Sequence, residues 1–301
     1  MTPFSNFFKV FERMSFSYKA LFLSLFSLFP ISYTLQHASQ LSIMSLYPGA
    51  SSSSSEGRII NNTLKEKNFF AAGSLQEAMW NLQHPLVPQR FLERLPRELP
   101  TLKCTKTRKS AFICALLPLI LKANQAILQE RAILLNCVKT LAKQGSLTPD
   151  QESWVQDLMT KYRVTPGKNQ YKDLLKKVDV IPPSLALAQA IVESGFGTSR
   201  AAQHQNSTFG HMVTPTRIAS FVNLQENVST YMLNLNRHRA YKEFHAIRHS
   251  LRTANKDLSS TELLKGLIHY CERKEAYLEQ VQDIITKNKL NLFDTFKLQE
   301  V

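Results

Sequence analysis

From Lys109 to Lys143 apolar side chains return at helical spacing, with Phe112, Leu116, Leu119, Ala123, Ile127, Leu134, Leu135 and Val138 on one face. The pattern predicts a helix that Pro118 kinks or divides and that Gly145 stops. Thr148 and Pro149 supply a cap and a first-turn proline for a second helix, ending near Tyr162 before Pro166-Gly167. Then comes the most apolar stretch. After Pro182-Pro183, the run Leu185–Glu193 holds only two polar side chains, Gln189 and Glu193. With Ser184 as its expected N-cap and Gly195 as a left-handed stop, such a helix is apolar nearly all round and belongs in a core. Gly197 should keep the following turn open.

Glu193 thus falls in the last turn of a buried helix. Burial and the negative end of the helix dipole both disfavour its ionised form. A carboxyl that holds its proton near neutral pH suits general-acid chemistry.

Beyond that helix, residues 201–222 are polar and irregular, with a short hairpin expected from Met212-Val213 and Ile218–Val222 about Thr214-Pro-Thr-Arg217. Between Ser194 and Gln225 there is no Asp or Glu. Asn223 opens another helix, with Leu224, Val228, Tyr231 and Leu235 on one face and Glu226 at its third position, where a capping box needs it. Ser259 to Ile285 reads as a final helical region, with Ser259 and Glu262 at capping-box spacing.

The N-terminal end has a different character. Lys9, Arg13 and Lys19 precede the apolar stretch Ala20–Leu35, which is interrupted by serines and Pro30. That order reads as an export signal, with an uncleaved membrane anchor as the alternative because the cleavage site is poor. Pro48, Gly49 and the serine run 51–55 mark a linker, and the prolines from Pro85 to Pro100 mark extended chain on a domain surface. The expected division is 1–40 signal or anchor, 41–85 linker, 86–176 helical N-terminal region and 177–292 functional domain.

Charge and cysteine count narrow the chemistry. Lys and Arg total 37 against 23 Asp and Glu, so a polyanionic partner is in prospect. No nucleic-acid motif accompanies the charge, and none is expected as a partner; cell wall and anionic membrane, the latter through the N-terminal segment, fit it equally. The four cysteines lack metal-site spacing, and Cys114 and Cys137 fall on apolar helical faces. His245 and His249 stand one turn apart, yet no third ligand is evident, so they read as a solvated basic face. No metal or cofactor is expected.

Ser184-Leu-Ala-Leu-Ala-Gln189, Glu193-Ser-Gly-Phe-Gly-Thr-Ser-Arg200 and Asn206-Ser-Thr-Phe-Gly210 resemble the glucosaminidase family of cell-wall hydrolases, and within it the Bax-like branch. Leu117–Asn124, Ile127–Arg131, Lys177–Val180, Tyr231–Tyr241 and Tyr270–Tyr277 extend the likeness over roughly residues 86–292. The resemblance implies a mainly α, lysozyme-like α+β fold with a short β region behind a helical N-terminal extension. It implies a catalytic acid at Glu193 and a cleft tyrosine at Tyr270 that stabilises charge at the anomeric centre. Gln189, Asn206, Phe209, Gly210 and Tyr231 would bind sugar. The implied activity is an exported endo-β-N-acetylglucosaminidase cutting β-1,4 bonds of peptidoglycan or a related N-acetylglucosamine polymer, in the periplasm or at the inner membrane. Members often carry a longer β-lobe with a catalytic carboxylate and a Trp where Phe196 stands. Both departures leave room for a non-catalytic envelope-binding protein, and Ala190-Ile-Val-Glu-Ser-Gly-Phe196 would also suit a lytic transglycosylase with a single Glu.

Overall fold

The computed structural model describes residues 85–300 together with the strand Ile59–Ile60. The expected signal or anchor over 1–40 lies outside the described residues, as does nearly all of the linker.

The mainly α, glucosaminidase-type architecture expected from the sequence is the one observed. Its longest element is α1 (Thr105–Gln144), about 60 Å at 1.5 Å per residue. It is long and apolar enough to cross a membrane, but most of its apolar stretch is buried inside the protein. Every residue from Ala111 to Leu121 is buried. Pro118 lies inside this helix and does not divide it. An interior proline costs about 3 kcal/mol. Each fully buried Leu or Ile returns about 1.5–3 kcal/mol, and Leu116, Leu117, Leu119 and Ile120 surround it, so packing wins.

Next, α2 (Pro149–Tyr162) carries the predicted cap in full: Thr148 accepts from Gln151 N while the Gln151 side chain accepts from Thr148 N. A short α3 (Gln170–Lys177) leads to α4 (Pro183–Ser194), the helix that bears Glu193. Ser184 is not its cap. The helix starts at Pro183, so Ser184 already lies in the first turn, and Pro182 has no side-chain hydrogen bond to offer. Asp294 does the capping from across the fold: its carboxylate accepts from Ser184 N at 2.8 Å and from Ser184 Oγ at 2.7 Å. A carboxylate at a helix N-terminus also complements the dipole.

Downstream lie α5 (Arg200–Gln205), α6 (Leu224–Arg237), α7 (Lys242–Thr253), α8 (Ser260–Leu264) and α9 (Glu275–Lys287). The predicted helical region from Ser259 to Ile285 is therefore broken. Gly266 packs so closely on α7 that a Cβ there would meet Phe244 N at 2.3 Å, and Lys274 takes a positive φ of 45°. Residues 268–274 consequently leave the helix and carry Tyr270 across the front of α9.

The strands are short. β1 (Ile59–Ile60) pairs in parallel with β3 (Phe91–Leu92), and β2 (Leu86–Val87) with β6 (Lys297–Leu298). The predicted hairpin is present as antiparallel β4 (Met212–Thr214) and β5 (Arg217–Ile218). The proline-spaced segment is more than surface cover, since Val87, Phe91, Leu92, Leu95 and Leu99 are all buried. A continuous core runs from Val87 to Phe296 and includes Cys114 and Cys137. His245 also joins it, contrary to the solvated face expected: it is 4% exposed, its Nε2 lies 2.7 Å from Leu235 O, and burial lowers its pKa to about 4.

One buried charge cluster fixes the approach to α4. Asp179 is 2% exposed and takes two bonds from Arg252, at 3.0 and 2.9 Å, with Arg131 at 3.6 Å. Arg248 is wholly buried and donates to the carbonyls of Lys176, Lys177, Asp179 and Val180 and to Asn236 Oδ1. The chain entering α4 is thereby held at four carbonyls by one guanidinium.

Candidate active site

The end of α4 is shaped by three successive left-handed residues, Gly195 (φ 58°), Phe196 (φ 57°) and Gly197 (φ 75°). A bulky side chain rarely adopts such a φ. Phe196 is held there by edge contact with Phe112, ring centroids 6.1 Å apart, and by Lys109 Nζ 5.3 Å from its ring. Gly197 is not an open turn. A Cβ on it would lie 2.7 Å from both Leu95 and Phe112, so the chain passes directly over the core. Ser194 ties the turn together by donating to Ala190 O and accepting from Gly197 N.

Glu193 is left half-buried at this helix end. Burial is the leading influence on its carboxyl and raises its pKa; a hydrogen bond from Tyr277 and the positive charge of Arg273 act in the opposite direction and are outweighed. None of the groups acting on it is a carboxylate. Gly210 lies against it, with φ 66°, and a Cβ there would stand 2.5 Å from Glu193 Oε2. The segment 206–210 thus passes close over the carboxyl because it carries no side chain at that point.

Tyrosines surround the carboxyl. Tyr277 on α9 is buried and stacks on Tyr270, centroids 5.4 Å apart and planes at 14°. The Tyr270 hydroxyl donates to Phe209 O at 2.9 Å. The Phe209 ring stacks on Tyr231 at 3.9 Å. Burial drives the pKa of Tyr231, Tyr270 and Tyr277 upward, so all three keep their protons and remain donors.

Of the seven residues singled out from the sequence, Glu193, Gly210 and Tyr270 have exposed surface. Gln189, Asn206, Phe209 and Tyr231 are buried to within 1% of completely. Their side chains bond inside the protein: Asn206 Nδ2 donates to Phe221 O and Val222 O, and Gln189 bonds two tyrosines. Direct sugar contact by these four side chains therefore does not fit the packing; they shape what stands behind the carboxyl. The sequence singled out neither Tyr277, which acts on Glu193, nor Arg273, whose guanidinium lies 5.7 Å from the Tyr277 ring. Their spacing to Tyr270 held no sign of it, because the broken helix brings them together.

Glu226 forms only half of the expected capping box, its side chain reaching Val222 N rather than the N-cap N–H of Asn223. Its N–H donates to Asn223 Oδ1, and its Oε2 accepts from Val222 N at 2.7 Å. Among the described residues no group of three His, Cys, Asp or Glu is placed to hold a metal. A cavity of about 690 Å³ opens at the other end of α4, beside Pro182, Pro183 and Asp294. Its buried polar groups are already bonded, Asn124 to Ile181 and Asp294 to Ser184, whereas the Glu193 carboxyl is raised and reachable. Chemistry therefore points to the C-terminal end of the helix.

The family model of mannosyl-glycoprotein endo-beta-N-acetylglucosaminidase, the glucosaminidase family, matches residues 168–290. Protein bax of Escherichia coli (strain K12) is 32% identical over 184 residues, which cover 56% of this chain and 66% of the relative. The match thus spans just under two thirds of that relative's length. No solved structure gives a match. The family model spans both the helix that ends in Glu193 and the segment that carries Tyr277, so residues 168–290 form a glucosaminidase-family domain in a chain that is similar to Protein bax.

Proposed function

We propose that this protein is an exported β-N-acetylglucosaminidase that hydrolyses β-1,4 bonds of peptidoglycan glycan strands, with Glu193 as the general acid. The observation that carries the reading is the Glu193 carboxyl itself: half-buried, raised in pKa, and pressed against the bare backbone of Gly210. A protonated carboxyl there can give its proton to the leaving-group oxygen as the glycosidic bond breaks. Tyr270 fixes the Phe209–Gly210 backbone that borders the reacting bond. The glycan is a polyanion when it carries peptide stems, and the chain's net charge of +14 favours its approach.

Two-carboxylate glycosidases place the second group about 5–5.5 Å away for retention or about 6.5–9.5 Å for inversion. Glu226 is bonded to Val222 N, and the sequence between Ser194 and Gln225 holds no acid. Substrate assistance supplies the missing nucleophile: the 2-acetamido oxygen of the sugar attacks the anomeric carbon while Glu193 protonates the departing oxygen. The same lone Glu would also serve a lytic transglycosylase, and the product's reducing end separates the two.

The test is mass spectrometry of muropeptides after digestion of purified cell wall. The expected product ends in free N-acetylglucosamine; a 1,6-anhydromuramic end makes the enzyme a transglycosylase. Glu193→Gln should abolish turnover in a folded protein. Residual activity within about tenfold of wild type, less than a general acid contributes, removes Glu193 from that role.

A further inference from the structure

Behind Glu193 runs a chain of hydrogen bonds that ordinary core packing does not require. Tyr231 Oη on α6 donates to Gln189 Oε1 at 2.8 Å. Gln189 Nε2, one turn before Glu193 on α4, donates to Tyr277 Oη on α9 at 3.0 Å. The Tyr277 oxygen is thus occupied by Gln189, which leaves its own hydrogen for the Glu193 carboxyl, the group it acts on. All three side chains are buried, with no exposed surface on any of them. In this arrangement the amide accepts from one phenol and donates to the other, so the bonds run in one direction and each polarises the next. The Phe209 ring on Tyr231 and the Tyr270 ring on Tyr277 hold both phenols in plane.

We infer that Tyr231, Gln189 and Tyr277 form a directional hydrogen-bond relay that positions the Glu193 carboxyl and stabilises its ionised form, linking three helices to one reacting oxygen. Tyr277 is the positioning residue in contact; Gln189 and Tyr231 act through it. The inference rests on Glu193 being the acid of the proposed glycosidase, and it adds a reason for that acid's proton affinity. Burial raises it, and the hydrogen bond at the end of the relay acts in the opposite direction.

The groups facing Glu193 are few. Tyr277 and Arg273 come from α9 and the segment before it, Tyr231 from α6, and Tyr270 from the broken stretch between α8 and α9. Tyr270 spends its hydroxyl on Phe209 O, so it lies beside the relay and outside it. Arg273 is exposed and donates to Gln280, and its charge favours the carboxylate whether or not the relay is intact.

The experiment reads the titration of Glu193 directly, by carbon-detected NMR of side-chain carboxyls on the full chain, with the resonance assigned by its loss in Glu193→Gln. Tyr277→Phe should move that titration to higher pH, Gln189→Leu should move it the same way by less, and Tyr270→Phe should leave it in place. The alkaline limb of kcat/KM on peptidoglycan should follow the same order, with kcat in Tyr277→Phe lower by about ten- to hundredfold through lost orientation. An unmoved or lowered Glu193 titration in folded Tyr277→Phe overturns the relay. So does an equal shift in Tyr270→Phe, which would mean that any loosening of the tyrosine cluster suffices. Should Gln189→Leu fail to fold, Tyr231→Phe replaces it, with the same direction expected. A shifted titration without glycan cleavage leaves the relay standing and removes the glycosidase reading; cleavage that needs Glu193 with an unshifted titration does the reverse.

Discussion

At the scale of single residues, Gly210 and Glu193 constrain one another. Only a glycine tolerates both the φ of 66° and the 2.5 Å approach to Glu193 Oε2. Gly210→Ala should cost about 1–2 kcal/mol for the left-handed backbone. Its larger effect falls on the carboxyl, the flexible partner in the clash, which must swing away from Tyr277. The expected outcome is a protein that still melts cooperatively and has lost most of its turnover, measured by calorimetry beside a cell-wall assay. The raised pKa of Glu193 has its own consequence for stability. Folding disfavours the ionised carboxylate, so this residue lowers stability as pH rises through its folded-state value. Glu193→Gln should therefore melt above the wild type at pH 8, with the difference closing as pH falls below about 4.5, the ordinary value of the group. Equal melting temperatures across that range would show that burial does not act on Glu193 in this way.

At the scale of elements, the helix ends carry the information. Asn223 and Glu226 cap α6 from within its own sequence, and Glu226 reaches one residue past the N-cap to Val222 N. Glu226→Ala should lower stability by about 0.5–1 kcal/mol, the scale of a surface cap, and leave turnover unchanged. Lost turnover at an unchanged melting temperature would make Glu226 the missing catalytic base. Helix α4 follows the other logic, since two prolines leave it without a local cap and Asp294 supplies one from 110 residues away. Such a helix is positioned by its neighbours at both ends, by Asp294 at the first turn and by the Gly195–Gly197 turn on Leu95 and Phe112 at the last.

At the scale of the molecule, the Asp179 cluster joins α1, α7 and the entry to α4. Burial alone would raise the Asp179 pKa; Arg131, Arg252 and Arg248 outweigh it and hold the carboxyl below the usual carboxylate range. A carboxylate with a lowered pKa adds stability above its unfolded value, and that contribution is lost as pH falls through the folded value. Asp179→Ala should cost about 3–5 kcal/mol at neutral pH, because it strands the buried Arg248 charge. The deficit should shrink in urea melts taken progressively below pH 3.8, the ordinary value of the group. A deficit under about 1 kcal/mol at pH 7 would mean that the cluster is solvated like a surface pair.

Much of this was legible in the sequence, and what was legible is local. Helical periodicity, the Thr148–Gln151 capping box, the left-handed stop at Gly195 and the hairpin about Pro215-Thr216 each depend on a few neighbouring residues, so the chain declares them wherever it folds. The position of Glu193 at the end of an all-apolar helix followed in the same way, and with it the raised pKa. The unbroken course of α1 through Pro118 was not legible, because the apolar packing that outweighs a proline comes from elsewhere in the chain. The break before α9 depends on Gly266 meeting Phe244, and the cap of α4 on Asp294. The site divides along the same line. Sequence marked Gln189, Tyr231 and Tyr270 as belonging near Glu193, but whether a side chain faces sugar or core is fixed by what packs over it. Burial turned Gln189 and Tyr231 inward and put Tyr277 on the carboxyl, since a hydrogen bond between residues 84 apart exists only once the helices that carry them have met.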